Sequence, residues 1–216
     1  AGVMAGERWN TTAVSDRGGF SLSGERHYCS GAGIVERALV AVGDGASQQL
    51  FIVDAVGEGM SAVPGSWPAT GMAASASSTV RFSGAEGIPL GPAGAYQSRP
   101  GFWAGSLNVT ACWYGGALGL YRWTVANRVP PVDPTALGGM RAEIAVMRTL
   151  LEVAAAEASA STCGDGFERA MVVRHAIHGG CRRVIALAER LGGSDAIARD
   201  RDQSRRFADL PVYLSQ

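Results

Sequence analysis

The sequence predicts an α+β protein, with an N-terminal all-β unit of barrel-like or sandwich-like strands followed by an antiparallel four-helix bundle. Two textures carry this expectation. Up to about residue 104, short apolar runs are broken roughly every ten residues by Gly, Pro and Ser clusters, the punctuation of many short strands. Beyond it the punctuation thins, and apolar residues recur at steps of three and four. Strands first and helices later exclude a βαβ alternation, so two domains are expected, 1–104 and 105–216.

The strand runs are GFSLSG, RALVAV, LFIVDA and TVRFSG. The first helical stripe is Leu107, Ala111, Tyr114, Leu118, Tyr121 and Val125, and the second is Met140, Ile144, Met147, Leu151, Ala154 and Ala158. The third is Ala170, Val173, Ile177, Cys181, Val184, Ala188 and Leu191. Three such stripes need one another for burial, which makes a bundle the economical packing. The aromatic residues from Phe102 to Trp123 read as core, with Gly115, Gly116 and Gly119 allowing close helix approach. Asp133 before Pro134 suits an N-cap, and Asp165 with Glu168 resembles a capping box. Gly192 and Gly193 stop the third helix, and a fourth segment starts from Ser194.

Composition narrows the function classes. With 47% hydrophobic residues, 18% charged and no net charge, the 216 residues read as an ordinary globular chain with no bias toward nucleic acid. All nineteen basic residues are Arg. Cys29, Cys112, Cys163 and Cys181 have no CxxC spacing, so free thiols in a reducing compartment are expected. The sequence has no membrane-length apolar run and no signal-like start, and a cytoplasmic location follows from that reading. His175 and His178 lie three apart, close to metal-ligand spacing, but no third ligand accompanies them; no metal is expected.

One ordered series carries more. The segment HYCSGAG places Tyr28, Cys29 and Ser30 before nearly bare backbone. Trp67, then Thr70, Gly71 and Met72, then Ser75 and Ser77, then RPGFW at Arg99 to Trp103, then Gly192 and Gly193 follow in order. Together these resemble the middle β-domain and C-terminal helical domain of the acyl-CoA dehydrogenase family, over nearly the whole chain. The resemblance implies FAD, with Tyr28 against the flavin ring and Ser30 on its polar edge. Strand alternation is expected to turn both to one face and His27 to the other. Without the resemblance, Tyr28 reads as a half-buried strand aromatic and Ser30 as a turn hydroxyl.

The resemblance also nominates Thr11 as a flavin contact, although that residue alone reads as a surface threonine. Arg128 matches an Arg that reaches the FAD pyrophosphate of a neighbouring subunit, and a guanidinium suits a diphosphate. Where the family has Phe and Gly after it, this chain has Val129, Pro130 and Pro131, and an Arg at a helix C-terminus is also a plain dipole partner. Glu189, Gly192 and Gly193 fall on the family's Gln-x-x-Gly-Gly, which meets the adenosine half of FAD from the adjoining subunit. The glycines match and the carboxylate does not; a Gly pair ending a helix explains the same glycines without a ligand.

The implied reaction is α,β-dehydrogenation of an acyl thioester by a homodimer or homotetramer, with the electron acceptor unspecified. No catalytic base can be named. Alignment through Asp209 sets the family's catalytic Glu just after Gln216, and between Gly105 and Arg128 there is no Asp or Glu. The family's N-terminal helical domain has no counterpart in these residues, so the chain is expected to be a fragment or trimmed piece, with a natural short relative as the alternative. The alternatives are a flavin-dependent monooxygenase of the same superfamily and a non-catalytic scaffold that has lost flavin.

Overall fold

The computed structural model describes residues 2–4, 10–16, 18–99, 101–127, 131–160 and 166–215. They fall into two compact units. One comprises residues 1–69 and 73–100, and the other residues 70–72 and 101–216.

Among the described residues the first unit is a seven-stranded sheet. Its strands are β1 (Gly2–Met4), β2 (Thr12–Asp16), β3 (Gly19–Cys29), β4 (Arg37–Val42), β5 (Gln49–Asp54), β6 (Met60–Val63) and β7 (Ser78–Leu90). They run in the order β1-β4-β5-β7-β3-β2, with β6 also paired to β7. All pairs are antiparallel except β1 with β4. The four runs expected as strands lie in β3, β4, β5 and β7. Strand β7 organises the sheet: one edge pairs with β3, and the other is shared by β6 at Thr79–Phe82 and β5 at Gly87–Leu90. Leu22, Val40, Phe51, Val53, Val80 and Phe82 form the core. A single helical turn, α1 (Ala95–Ser98), closes the unit.

The second unit contains α2 (Phe102–Ala126), α3 (Pro134–Ala160), α4 (Gly166–Ala198) and α5 (Arg201–Leu214). Helix α4 packs against the other three. The stripes expected for α3 and α4 are the observed ones: Met140, Ile144 and Met147 face Ile177, Cys181 and Val184 in one core. The α2 stripe is displaced by one position. Its buried residues are Thr110, Trp113, Ala117, Leu120 and Thr124, while Leu107, Tyr114, Leu118 and Tyr121 pack half-buried beside them. The reason is that α2 is apolar on nearly every face, with Arg122 its only charged residue, so periodicity alone could not set its phase. Gly116 and Gly119 do allow close approach, and the neighbour is α5. A Cβ at Gly116 would stand 3.0 Å from Leu210, and one at Gly119 3.2 Å from Arg206, whereas Gly115 faces open space.

The caps explain the helix boundaries. Asp133 accepts from the Thr135 and Ala136 amides at 2.9 and 3.0 Å, with Pro134 in the first turn as expected. The Asp165 half of the second expected box lies outside the described residues. Gly193 breaks α4 at φ 55°, ψ −152°, the left-handed half of φ space that glycine enters without steric cost. The fourth segment is therefore two pieces: a short run to Ala198, then α5, which starts at Arg201 rather than Ser194. Asp200 caps α5 by accepting from the Gln203 amide at 2.9 Å, and its other oxygen accepts from the Trp123 indole at 2.7 Å.

The Thr70–Met72 tripeptide belongs to the helical unit by its contacts. The Met72 amide donates to the Asp209 carboxylate at 2.6 Å, and a Cβ at Gly71 would collide with the Ala208 carbonyl and Val212. Among the described cysteines, Cys29 and Cys181 are buried and Cys112 is exposed, all three as free thiols. Burial pushes the Cys181 thiol up to about 12. No helix among the described residues is long and apolar enough to cross a membrane.

Two outcomes test this packing. Met147 is fully buried against Gly180 and Cys181, so Met147→Ala should cost about 2–5 kcal/mol in urea unfolding. The Gln203 amide, followed by the Trp123 indole, holds the Asp200 carboxyl below its ordinary range. A lowered folded pKa means a contribution present above the unfolded pKa and lost as pH falls through the folded one. The stability gap between wild type and Asp200→Asn should accordingly be open at neutral pH and close under acid, read from urea midpoints across pH.

Candidate functional site

The site expected around Tyr28 is built by an irregularity in β3. Leu22 and Arg26 point into the sheet core, and simple alternation from Arg26 would turn Tyr28 and Ser30 inward as well. Instead the register jumps: Arg26 pairs with Val80 and Cys29 with Ser78, three residues of β3 against two of β7. The extra residue makes a β-bulge that returns Cys29 to the core and leaves Tyr28 and Ser30 exposed on either side of it. Thus the two expected residues are both outward. The cause is the bulge and not the alternation.

Buried polar groups hold the bulge. Arg26, 2% exposed, donates to the Ala41 carbonyl from inside the sheet core. The Cys29 thiol donates to the Arg26 carbonyl at 3.4 Å, spanning the bulge. Burial pushes this thiol up to about 11, partly offset by the Arg26 charge and the Val80 amide, while burial lowers the Arg26 pKa. Cys29 therefore stays a thiol at neutral pH.

Around the bulge, exposed Tyr28 and Ser30 meet half-buried Trp67, Ser75 and Ser77. Tyr28 is 51% exposed, with Trp67 edge-on at 6.2 Å between ring centroids. Ser30 Oγ lies 2.9 Å from Ser77 Oγ, which lies 2.7 Å from Ser75 Oγ. The Gly31 amide donates to the Ser75 carbonyl at 2.9 Å, tying the turn after β3 to this serine segment. His27 donates or accepts at Thr79 Oγ1 over 3.0 Å. Trp67, Ser75 and Ser77 were legible in the ordered series but not as partners of Ser30; only the sheet brings them together.

The backbone here is strained. Among the described residues, Tyr28, Met72 and Ala76 are the non-glycine positions with positive φ, at 61°, 58° and 48°. Ala76 separates the two hydroxyls of Ser75 and Ser77, and Tyr28 is the extra residue of the bulge. A left-handed backbone costs an L-residue with a Cβ about 1–2 kcal/mol. Strain of this kind persists where the surroundings enforce it, and it clusters at ligand sites.

The other expected contacts lie elsewhere. Thr11 is not a surface threonine: it is 4% exposed, and its hydroxyl donates to the Glu25 carbonyl at 3.2 Å beside the Asn10–Glu25 backbone bond. Glu189 and Gly193 are exposed on α4, and Gly192 packs against Trp123 and Ala196 at the helix break. Arg128 lies outside the described residues. Among the described residues no group of three His, Cys, Asp or Glu side chains could hold a metal ion.

Comparison with solved structures bears on the arrangement as a whole. Over 98% of this chain, the acyl-CoA dehydrogenase of Geobacillus kaustophilus superposes with a TM-score of 0.79 at 18% identity. This is the acyl-CoA dehydrogenase fold. The butyryl-CoA dehydrogenase of Megasphaera elsdenii gives 0.77 at 18% identity over 98% of the chain. KijD3, solved with FMN and a dTDP-amino-keto sugar, gives 0.74 at 20% identity over 98%. The chain spans 63% of the two dehydrogenases and 59% of KijD3. No protein-family model matches the sequence, and no curated protein matches it.

The strain at Tyr28 has a direct test. Tyr28→Gly and Tyr28→Ala both remove the ring, but only glycine adopts φ near 61° freely. The glycine variant should be the more stable of the two by about 1 kcal/mol in denaturant unfolding. Equal stabilities would mean that the bulge relaxes when the ring is gone.

Proposed function

We propose that the β unit, residues 1–104 in the sequence division, carries the ring-binding face for a flavin, and that the parent protein is an FAD-dependent oxidoreductase acting on an acyl thioester. The observation supporting this most is the constellation of exposed Tyr28 and Ser30 with half-buried Trp67, Ser75 and Ser77, gathered around a strained bulge of this fold. Its chemistry suits the group: an exposed aromatic plane accepts a flat heteroaromatic ring, and hydroxyls beside it match carbonyl and ring-nitrogen edges. Tyr28 would stack, Ser30 would donate to the ring's polar edge, and the Ser75–Ser77 pair would hold the Ser30 hydroxyl in place. Bound flavin would supply a hydride acceptor for dehydrogenation, a reaction that also requires a carboxylate base.

The dinucleotide end fits less well. Glu189 is an exposed carboxylate where a diphosphate-bearing ligand favours an uncharged or cationic partner, and the Thr11 hydroxyl is engaged with Glu25. Arg128, Glu189, Gly192 and Gly193 make ligand sense only across a subunit boundary, so the reading includes a homo-oligomer. The Glu189 carboxylate and the FMN in the solved KijD3 complex favour a second reading, a mononucleotide-using monooxygenase-type protein. A non-catalytic scaffold is the third.

Flavin fluorescence quenching separates them. FAD binding tighter than FMN supports the first reading, the reverse order supports the second, and binding of neither supports the scaffold. Tyr28→Ala should weaken flavin binding about two- to twelve-fold, the equivalent of a stacking term of about 0.5–1.5 kcal/mol. Unchanged affinity in that variant would remove Tyr28 from the site. Bleaching of the bound flavin by an acyl-CoA would mark the dehydrogenase.

A further inference from the structure

His27 has no part in the flavin contacts set out above, yet it stands next to the stacking residue. Arg26 and its β7 partner Val80 point into the sheet core, so their neighbours His27 and Thr79 turn to the outer face. The bulge then sets the half-buried His27 ring beside that of Tyr28, with 6.1 Å between centroids and a tilt of 55°. Alternation alone would have put the two rings on opposite faces.

Thr79 anchors one end of the imidazole. Its Oγ1 lies 3.0 Å from His27 Nδ1, and its amide donates to Ser66 Oγ at 2.7 Å, one residue before Trp67. A single threonine thus ties His27 to the segment that carries the second aromatic ring. The Nε2 end of His27 has no partner among the described residues.

Among the described residues this face is otherwise nearly empty of net charge. From Ser61 to Val80, a stretch that includes β6, Trp67 and the serines, the sequence has no Asp, Glu, Arg or His. On β3 the Arg26 guanidinium lies on the buried side, bonded to the Ala41 carbonyl. Glu25 of β3 and Arg81 of β7 face outward two positions along the strands, and they pair with each other at 2.8 Å. The Tyr28 phenol is the remaining titratable neighbour. Of these side-chain types only imidazole ordinarily changes charge near neutral pH.

We propose, on the flavin reading above, that His27 makes this face selective for the reduced, anionic form of the ring by taking up a proton from solvent as that form binds. The isoalloxazine ring is neutral when oxidised and negatively charged when reduced at slightly alkaline pH, so a positive charge beside Tyr28 favours one state and not the other. An opposite charge a few ångströms away stabilises the charged form of each partner. With Nδ1–H given to Thr79 Oγ1, Nε2 is the nitrogen that receives the proton. His27 is in this sense the specificity-determining residue of the face, while Tyr28 supplies the stacking plane.

Riboflavin is the probe, because without a phosphate its only charge is the one that reduction puts on the ring. Binding of oxidised and of dithionite-reduced riboflavin to the 216-residue chain is measured by anaerobic calorimetry slightly above neutral pH, in two buffers of different ionisation enthalpy. Reduced riboflavin should bind about fivefold tighter than oxidised, the effect of one unit charge a few ångströms away in water. It should also draw protons from the buffer where the oxidised form draws none. His27→Gln should remove both the preference and the uptake, and His27→Arg should restore the preference without uptake. Should either variant fail to fold, proton NMR of the wild type reads the same event. The His27 imidazole resonances should move toward their protonated positions with reduced riboflavin and not with oxidised, while His175 and His178 of the helical unit stay unmoved. The proposal is overturned by equal affinities for the two forms, by a preference that survives in His27→Gln, or by binding of the reduced form without proton uptake. Each of those results leaves the flavin reading standing where Tyr28→Ala weakens binding of oxidised riboflavin, whereas binding of neither form overturns both.

Discussion

The candidate site depends on one extra residue in β3. Arg26 and Cys29 are both committed to the sheet core, three positions apart, and an uninterrupted strand cannot bury both. The bulge resolves the conflict by placing Tyr28 in a left-handed backbone, and it is this displacement that presents an aromatic ring on the outer face. The buried guanidinium bonded to Ala41 and the thiol bonded to the Arg26 carbonyl make the arrangement costly to undo, because either slip of register would expose an apolar core position or strand a buried polar group. A strained tyrosine is sustained by its neighbours.

The helical unit rests on a different constraint, the burial of α4 on three sides. Its small residues, Gly180 against Met147 and Cys181 beside Met147, let α3 approach closely, and Ile177, Val184 and Ala188 join the same core. Between Glu168 and Glu189 the charged residues of α4 are all Arg. The same helix is the central element of the bundle and sets Arg174 and His178 against the Trp113 ring of α2.

Asp200 and Asp209 show how a short helix is held at its N-terminus and again along its length. Asp200 caps α5 and engages Trp123 of α2, while Asp209, two turns on, receives the Met72 amide. Each carboxylate meets backbone or indole donors that would otherwise be poorly satisfied, which is why α5 begins at Arg201 although helical residues already precede it.

Sequence pattern alone determined the division into strands and helices, the stripes of α3 and α4, the Asp133 cap and the break at Gly193, because each follows from local geometry: a period, a side-chain acceptor beside free amides, or a residue without Cβ. It also singled out Tyr28 and Ser30. Tertiary structure decided the rest. The phase of α2 depended on which of several apolar faces met α4 and α5, and Thr11 was buried by a hydrogen bond to a residue fourteen positions away. The grouping of Ser30 with Ser75 and Ser77, the outward turn of Tyr28, and the meeting of Trp113 with Arg174 and His178 all join residues distant in the chain. No local propensity encodes such meetings; they arise from the register of β3 on β7 and from the packing of α2 against α4.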